Sequence, residues 1–295
     1  MQHLSRREVL VAGAATAACA AVVPAMPLAP HPQHPQHPEP DPPRRGRLKQ
    51  SVCRWCYGRM SLDDLCTAAA AMGVRSVELL GEKEWGVPAR HGLVCAVANG
   101  PTTIPRGLNR PELHDAIVRE SERLLPLVRD AGIPNMIVFS GNRDGMSDAE
   151  GLRNCAAGLK RLTPLAESLG VTLVMELLNS RVDHADYMCD RTAWGAALVE
   201  EVGSERFKLL YDIYHMQIME GDVIRTIRRY AKHIGHYHTA GNPGRNELDD
   251  TQELNYRAIC TAIVESGFAG YLGQEFIPRR DPMQSLGEAV RLCDV

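Results

Sequence analysis

Short apolar runs alternate with longer helical patterns along residues 47–295, and this alternation limits the folds open to the chain. Strands are expected where apolar residues fill about five positions between turn residues, and helices where they recur every three or four positions. The predicted strands lie near residues 49–53, 75–79, 93–98, 135–140, 172–176, 208–212, 234–239 and 271–275. The predicted helices between them include residues 61–72, 109–131, 148–169, 191–202 and 255–266. Eight such units in about 250 residues predict a single α/β domain, a (β/α)8 TIM barrel with its chemistry at the carboxyl ends of the strands.

The residues at the ends of the helices agree with this assignment. Ser61 stands at the start of a helical pattern, and Asp64 lies three positions after Ser61. This spacing is typical of an N-terminal cap. Several patterns end at a glycine, which readily adopts the left-handed conformation found after a helix. These residues are Gly73, Gly132, Gly170 and Gly267.

The first 29 residues have the composition of an export signal. Arg6 and Arg7 follow a serine, and a nearly uncharged stretch rich in Ala and Val comes next. This pattern is typical of twin-arginine signals and predicts a periplasmic or extracellular location. A membrane anchor is the alternative, but Pro24 and Pro27 interrupt the apolar stretch short of the ~20 residues that a span needs. We therefore expect no stable membrane span once the signal is removed.

Residues 30–46 separate this signal from the barrel. Proline recurs at every second or third position over most of this segment, which opposes helices and central strands and predicts an extended, solvated linker. His31, His34 and His37 recur within it. We interpret them as part of a spacer rather than as a metal site.

Composition narrows the class of partner. The chain carries 33 Lys and Arg residues against 36 Asp and Glu residues, so we expect no basic surface for nucleic acid or for an anionic membrane. A small, polar, carbohydrate-like substrate is the better expectation. The sequence leaves the oligomeric state open and is compatible with a homo-oligomer.

Nine cysteines are scattered through the chain without the regular spacing of a disulfide framework. We interpret most of them as buried thiols. Cys53 and Cys56 have the spacing of a redox motif at the end of the first predicted strand, and the sequence does not decide whether they pair.

Four residues with metal-binding side chains end successive apolar runs in the second half of the chain. Glu176, Asp212, His238 and Glu275 are separated by 36, 26 and 37 residues, about one strand-and-helix unit each, so parallel strands would bring them together at one end of a barrel. Buried carboxylates are costly unless they are paired, hydrogen-bonded or bound to a cation. The set predicts one divalent ion, Mn²⁺ or Mg²⁺ first, with Co²⁺ or Zn²⁺ as alternatives. The competing interpretation, helix caps or salt-bridged rim residues, is strong for any single member but weak for all four.

Three further residues are candidates for contact with a substrate. His215 lies three positions after Asp212, in the segment that follows its strand. Arg245 follows a turn-forming Asn-Pro-Gly sequence that can direct the guanidinium inward, and a surface salt bridge is the alternative. Glu78 ends the second strand and suits either a substrate hydroxyl or a structural partner for Arg or His.

Three more polar residues lie close to these candidates. His236 is assigned to the helix-facing side of its strand, on the expectation that His238 faces the site; a place just behind the site is the alternative, because strands often twist at their ends. Asn179 and His184 lie in the loop after Glu176, where they are candidates for covering the site.

Four strings in the second half carry a family resemblance. They are MELLNS around Glu176, YDIYHMQIMEGD at 211–222, IGHYHTAGNPGR at 234–245 and GQEFIP at 273–278. They resemble the hydroxypyruvate isomerase group of the wider xylose isomerase-like TIM-barrel superfamily, to which sugar 3-epimerases also belong. One departure is His238, because hydroxypyruvate isomerases can carry Gln there whereas His is usual in the epimerases.

The resemblance implies a role for each matched residue. It implies that Glu176, Asp212, His238 and Glu275 bind the metal, and that Glu176 and Glu275 also act as the acid/base pair. It further implies that His215 and Arg245 contact the substrate.

Three functions follow from these observations. The first is a metal-dependent isomerase or epimerase of a small sugar, ketose or hydroxy-keto acid, which moves a proton next to a carbonyl through an enediolate. The second is a metal-dependent endonuclease on the same barrel, which would need more histidine ligands and a basic groove. The third is a non-catalytic sugar-binding barrel that keeps the shape of the site.

Overall fold

A computed structural model of the chain describes residues 45–295. The predicted export signal at 1–29 and nearly all of the predicted linker at 30–46 lie outside the described residues. The account of the fold below therefore concerns the predicted barrel domain.

Eight short strands alternate with helices along this domain. The strands are β1 (Lys49–Cys53), β2 (Ser76–Glu78), β3 (Val97–Ala98), β4 (Asn135–Val138), β5 (Thr172–Leu177), β6 (Phe207–Asp212), β7 (Ile234–Thr239) and β8 (Tyr271–Gln274). The α-helices are α1 (Leu62–Ala71), α2 (His114–Asp130), α3 (Asp148–Leu169), α4 (Thr192–Val202), α5 (Ile213–Met219), α6 (Val223–Tyr230), α7 (Tyr256–Glu265) and α8 (Pro282–Cys293). Short 3-10 helices occupy several of the loops.

The strands form one parallel sheet that closes on itself. The order is β2-β1-β8-β7-β6-β5-β4-β3, and every neighbouring pair is parallel. Isolated parallel bridges join Ser76 to Val94 and Leu80 to Ala98, so the segments around β2 and β3 close the ring. The predicted (β/α)8 barrel is confirmed.

Two apolar layers hold the barrel together. Val174 and Leu210 each lie two residues before a predicted ligand on the same strand, so they share its inward direction. They pack with other buried residues in a small cluster completed by Ala96, Val97 and Ile137. A much larger cluster joins the outer face of the sheet to the helices. No helix within residues 45–295 is long and apolar enough to cross a membrane.

The predicted boundaries differ from the observed ones by one or two residues at most elements and by more at β3 and α2. Strand β3 covers two residues rather than 93–98, because the chain before it joins β2 only through isolated bridges. Helix α2 begins at His114 rather than near residue 109, since a 3-10 turn at Pro111–Leu113 comes first. The helices α5, α6 and α8 were not named from the sequence.

Candidate active site

The four predicted ligands lie together at the carboxyl end of the barrel. Asp212 ends β6, Glu176 and His238 lie one residue before the ends of β5 and β7, and Glu275 follows β8 directly. Asp212 pairs in register with His238 across the two strands. One ligand atom from each of the four residues falls within 4.8 Å of the others, and all four residues are buried. The structure thus brings this predicted set to one point.

His238 stands at the centre of this cluster and uses both of its ring nitrogens. Its Nδ1 lies 2.9 Å from Oε2 of Glu275 and 3.3 Å from Oε1 of Glu176. Its Nε2 lies 2.8 Å from Oε1 of Glu78, on the other side of the ring. Nδ1 therefore faces Glu176 and Glu275, and Nε2 contacts the Glu78 carboxylate on the opposite side of the ring.

Glu78 is fully buried, and its contacts are structural. The same oxygen that meets His238 also lies 2.9 Å from Nε2 of His236 and 3.5 Å from the Cys53 thiol, which donates to it. Glu78 does not line the cavity described below. Its predicted contact with substrate remains a prediction, and the geometry favours the alternative of a structural partner for histidine.

His236 differs from its expected orientation. It is fully buried, its ring centroid lies 5.1 Å from that of His238, and it contacts Glu78 inside the barrel. The assignment to the helix-facing side was wrong, because residues two apart on a strand share a face.

Arg245 and Trp55 hold Glu275 from the side of the loops. A terminal nitrogen of Arg245 donates to Oε2 of Glu275 at 2.7 Å and lies 3.7 Å from Oδ2 of Asp212. The indole N–H of Trp55 donates to Oε1 of Glu275 at 2.8 Å, and the Arg245 guanidinium stacks 5.0 Å from the Trp55 ring. Arg245, with its side chain 14% exposed, thus lies among site residues rather than in a surface salt bridge.

Trp55 was not singled out from the sequence. It lies inside the Cys53–Cys56 motif, and its side chain is 45% exposed at the edge of the cavity described below. An aromatic residue directly after the first strand of a barrel was the available signal. All eight cysteines of the described part of the chain, including Cys53 and Cys56, are free thiols.

Asp212 combines two functions at the start of α5. Its Oδ1 accepts a hydrogen bond from the backbone N–H of His215 at 3.1 Å and so caps the helix. Its Oδ2 is buried and has no hydrogen-bond partner in the part of the chain that the structure describes, and the nearest nitrogen of the His215 ring lies 3.6 Å away. The free oxygen points to the other ligands.

The pKa values of these groups are displaced in opposite directions. Burial raises the pKa of Asp212 well above its ordinary value, and burial together with the charge of Glu275 raises the pKa of Glu176. Burial alone would raise the pKa of Glu275, but the charges of His238 and Arg245 outweigh it and hold that pKa well below the ordinary value. Burial opposes the charged form of His238, yet contacts with Cys53 and Glu275 raise the pKa of its imidazole well above the usual range.

The donor set fits a hard divalent cation. Three buried carboxylates face one imidazole and one guanidinium, and Asp212 keeps a buried oxygen without a partner. Burying that much negative charge is costly unless a cation is added. Oxygen-rich sites with one imidazole suit Mn²⁺ or Mg²⁺, and a carboxylate behind a ligating histidine is the usual support of metal-binding imidazoles.

A cavity of about 270 Å³ adjoins the ligand set. Its polar side includes Glu176, Glu275, His184 and Arg245. The rest of the wall is mainly apolar and is formed by Trp55, Leu79, Ile104, Ile137, Phe139 and Leu178. A larger cavity of about 850 Å³ lies beside the loops after β1 and β8 and touches none of the four ligands. The smaller cavity is the one beside the chemistry.

The loop after β5 contributes the last group of polar residues. Asn179 is fully buried and contacts the ring of His215, and the His184 ring lies 5.3 Å from it. Both residues therefore lie beside the site, as expected.

Residues 66–294 match the model of the xylose isomerase-like TIM barrel family. The chain belongs to this family. The resemblance found in the sequence is thereby confirmed.

Two curated relatives of this xylose isomerase-like barrel carry isomerase names. A 2-oxo-tetronate isomerase of Cupriavidus necator is 33% identical over 245 residues, which cover 78% of this chain and 93% of the relative. The hydroxypyruvate isomerase of Escherichia coli is 36% identical over 109 residues, which cover 37% of this chain and 42% of the relative. The second alignment spans less than half of either protein.

Solved structures of other proteins share the fold of this xylose isomerase-like barrel. An AP endonuclease, family 2, from Brucella melitensis superposes with a TM-score of 0.74 at 20% identity, over 81% of this chain and 97% of that one. A D-psicose 3-epimerase in the presence of D-fructose gives 0.67 at 17% identity, over 83% of this chain and 96% of that one. At these identities the likeness shows the fold alone.

Proposed function

We propose that this protein is a metal-dependent isomerase or epimerase of a small sugar, ketose or hydroxy-keto acid. The observation that carries the proposal is the convergence of two buried glutamates, Glu176 and Glu275, on one nitrogen of His238 at the carboxyl end of the barrel. The names of the curated relatives, a 2-oxo-tetronate isomerase and a hydroxypyruvate isomerase, support the same class of reaction.

Two carboxylates in this arrangement suit proton transfer next to a carbonyl. Glu275 is ionised, because the charges of His238 and Arg245 hold its pKa low, and an ionised carboxylate can accept the proton from carbon. Glu176, whose pKa is raised, is suited to return a proton. Environments that push two pKa values apart are typical of acid/base pairs. Return to the neighbouring carbon gives isomerisation, and return to the opposite face of the same carbon gives epimerisation.

The metal ligands in this proposal are Glu176, Asp212, His238 and Glu275. The bound ion would be Mn²⁺ or Mg²⁺, with Co²⁺ or Zn²⁺ as alternatives, because oxygen ligands outnumber nitrogen in the set. When bound, the ion supplies positive charge that stabilises the negative oxygen formed as the proton leaves carbon.

The substrate in this proposal is small, and the part of it next to the reacting carbonyl carries little net charge. Within residues 45–295, Arg245 is the one Lys or Arg side chain that lines the 270 Å³ cavity, and it is already paired with Glu275. The apolar wall offers few hydrogen bonds to a long polyhydroxylated chain. Arg245 and His215 are the proposed contacts for substrate oxygens.

We also propose that the protein acts outside the cytoplasm. The twin arginines within residues 1–29 support this location. Export in the folded state would let the metal be loaded before translocation.

The test combines metal analysis with deuterium exchange. The purified full chain is analysed for bound metal, then incubated in D2O with Mn²⁺ and a panel of ketoses, hydroxypyruvate and 2-oxo-tetronate, and NMR spectra are recorded after the Mn²⁺ is removed. We expect about one metal ion per chain and exchange at the carbon next to the carbonyl of at least one substrate. The matched control is Asp212→Asn, which can still cap α5 but removes a ligand charge, and we expect it to lose metal and exchange together.

The alternatives give different results. Full metal occupancy with no exchange into any compound would favour the non-catalytic sugar-binding barrel. A chain that takes up no divalent metal would contradict the proposed function as a whole.

A further inference from the structure

Asn179 is held in one orientation by the loop that follows β5. Its Oδ1 accepts hydrogen bonds from the backbone N–H groups of Val182 at 3.0 Å and Asp183 at 2.9 Å. Backbone N–H groups can only donate, so the oxygen of the Asn179 amide must face these two groups. The amide nitrogen is thereby directed the other way, to Nδ1 of His215 at 2.6 Å and to Oδ2 of Asp183 at 2.7 Å.

This orientation decides where the proton of His215 lies. A ring nitrogen that accepts an amide N–H cannot carry a proton, so Nδ1 of His215 is a lone-pair acceptor. The neutral imidazole then has its single proton on Nε2. The ring is fully buried, and Tyr214 and His184 pack against it with centroids at 5.1 and 5.3 Å, so it cannot turn to exchange its nitrogens without moving both neighbours.

The protonated nitrogen faces the ligand set. Nε2 of His215 lies 3.6 Å from Oδ2 of Asp212, and neither buried atom has a hydrogen-bond partner within residues 45–295. His215 does not itself line the 270 Å³ cavity, so its N–H would meet a substrate oxygen beside Asp212, where the proposed ligands converge.

We propose that Asn179 is a positioning residue that fixes His215 as the neutral tautomer with its proton on Nε2, so that His215 donates a hydrogen bond to a substrate oxygen. The donation rests on the proposed isomerase or epimerase function, whereas the tautomer rests on the hydrogen bonds alone. The opposite tautomer would direct a lone pair at an oxygen that becomes negative during proton transfer. A preorganised donor at such an oxygen stabilises the transition state, and its loss typically costs about 10²- to 10³-fold in kcat.

Asp183 provides the matched pair of variants. Its Oδ2 accepts from Asn179 and, at 2.9 Å, from the hydroxyl of Tyr214. In the double variant N179D/D183N, the carboxylate introduced at position 179 can still accept the two backbone N–H groups. The amide introduced at position 183 can donate one N–H to that carboxylate and the other to the hydroxyl oxygen of Tyr214, so both contacts are kept with their direction reversed and the net charge is unchanged. The group facing His215 changes from a donor to an acceptor. D183N alone keeps Asn179 and serves as the control.

The direct readout is NMR of the ring nitrogens in full-length protein labelled with ¹⁵N-histidine and loaded with Mg²⁺, which does not broaden the signals. Spectra are recorded near pH 8.5, above the ordinary histidine pKa of about 6.5, so that the ring is neutral. His215→Gln assigns the signals by their loss. We expect the proton of His215 on Nε2 in the wild type and in D183N, and on Nδ1 in N179D/D183N. A proton on Nδ1 in the wild type would overturn the inference.

Turnover supplies the second readout. We expect D183N to stay within a few fold of the wild type and N179D/D183N to lose at least about 10²-fold in kcat. A double variant that carries its proton on Nδ1 and keeps wild-type turnover would show that the tautomer has no catalytic role. If the wild type turns over nothing in the panel, the proposed function fails separately, and the NMR spectrum still decides the role of Asn179.

Discussion

Glu78 illustrates how one buried residue sets the properties of a neighbouring ligand. It accepts from His236 and contacts Nε2 of His238, and one of its oxygens remains without a partner. Despite its burial, the two histidines hold the pKa of this carboxyl far below its ordinary value, so Glu78 is negatively charged. A charged carboxylate behind the ring would orient Nδ1 to a bound metal and make the imidazole a better ligand.

Removing the charge of Glu78 should therefore weaken metal binding. We expect Glu78→Gln, which keeps the shape of the side chain, to lower Mn²⁺ affinity by about 10- to 100-fold. Titration of metal-free protein with Mn²⁺, followed by EPR of the free ion, measures the change. Glu82→Gln, a charge removal on the surface, is the control, and equal affinities in both variants would contradict this role for Glu78.

Metal and proton should compete for His238. Its pKa is raised well above the usual range, and both nitrogens face carboxylates, so the ring is protonated at neutral pH. A metal at Nδ1 must displace that proton, and metal affinity is expected to fall as the pH drops. The effect should be present below the raised pKa and disappear above it. Calorimetry in two buffers with different ionisation enthalpies should detect release of at least one proton per ion, and binding without proton release would contradict the protonated ring.

Glu275 separates binding from chemistry. We expect Glu275→Gln to retain metal, with lower affinity, while turnover falls by at least ~10²-fold because the proton acceptor is lost. Steady-state kinetics at saturating Mn²⁺ measures the change. Undiminished turnover with a full complement of metal would remove Glu275 from the acid/base pair.

At the scale of elements, strand β8 can approach the site closely because Gly273 has no side chain. Gly273 pairs in register with His238. A Cβ placed on Gly273 would lie 2.4 Å from Oε1 of Glu78 and 2.8 Å from Cδ2 of His238. The close approach of β8 to the Glu78–His238 pair thus requires glycine.

We expect Gly273→Ala to displace Glu78 or His238 and to impair metal binding, with a stability loss of about 1–3 kcal/mol from overpacking. Thermal unfolding with and without Mn²⁺ tests both effects. The control is Gly287→Ala on α8, where the nearest atom to a new Cβ is 3.4 Å away on the flexible side chain of Arg291. If Gly273→Ala unfolds and binds Mn²⁺ like that control, β8 does not constrain the pair in this way.

At the scale of the whole molecule, the two ends of the described chain meet across the closing strands. The carboxylate of Asp294 accepts from the backbone N–H groups of Arg45 and Gly46, and the side chain of Arg47 donates to the carbonyl oxygen of Val295. Strands β1 and β8 pair directly beside this contact. These hydrogen bonds therefore tie the two ends of the described chain to each other beside the β1–β8 pair.

Export concerns the full chain and stays a prediction. We expect replacement of Arg6 and Arg7 by lysine to retain the protein in the cytoplasm, because twin-arginine signals depend on that pair. Fractionation of cells that produce the full chain with a C-terminal tag measures the distribution. Equal distribution of both forms would contradict twin-arginine export.

Local patterns in the sequence determined much of this protein. The order of eight strands and helices, the Ser61 cap on α1, and the four ligands at successive strand ends all follow from local periodicity and from the rule that strand ends share one rim. These features depend on residues close in the chain, so a single sequence contains them. Loop packing sets the boundaries of β3 and α2, so local periodicity did not place them correctly.

Only the tertiary structure decided which atoms meet. The contact of Glu78 with His238 joins residues 160 positions apart, and that of Trp55 with Glu275 joins residues 220 positions apart. The orientation of the Asn179 amide likewise depends on its own loop and on a ring from the next strand-and-helix unit. Hydrogen bonds require distances near 3 Å and fixed angles, which strand order alone does not determine. The sequence thus specified the barrel and the positions of the four proposed ligands, while closure of the sheet selected the partners that set their charge, tautomer and direction.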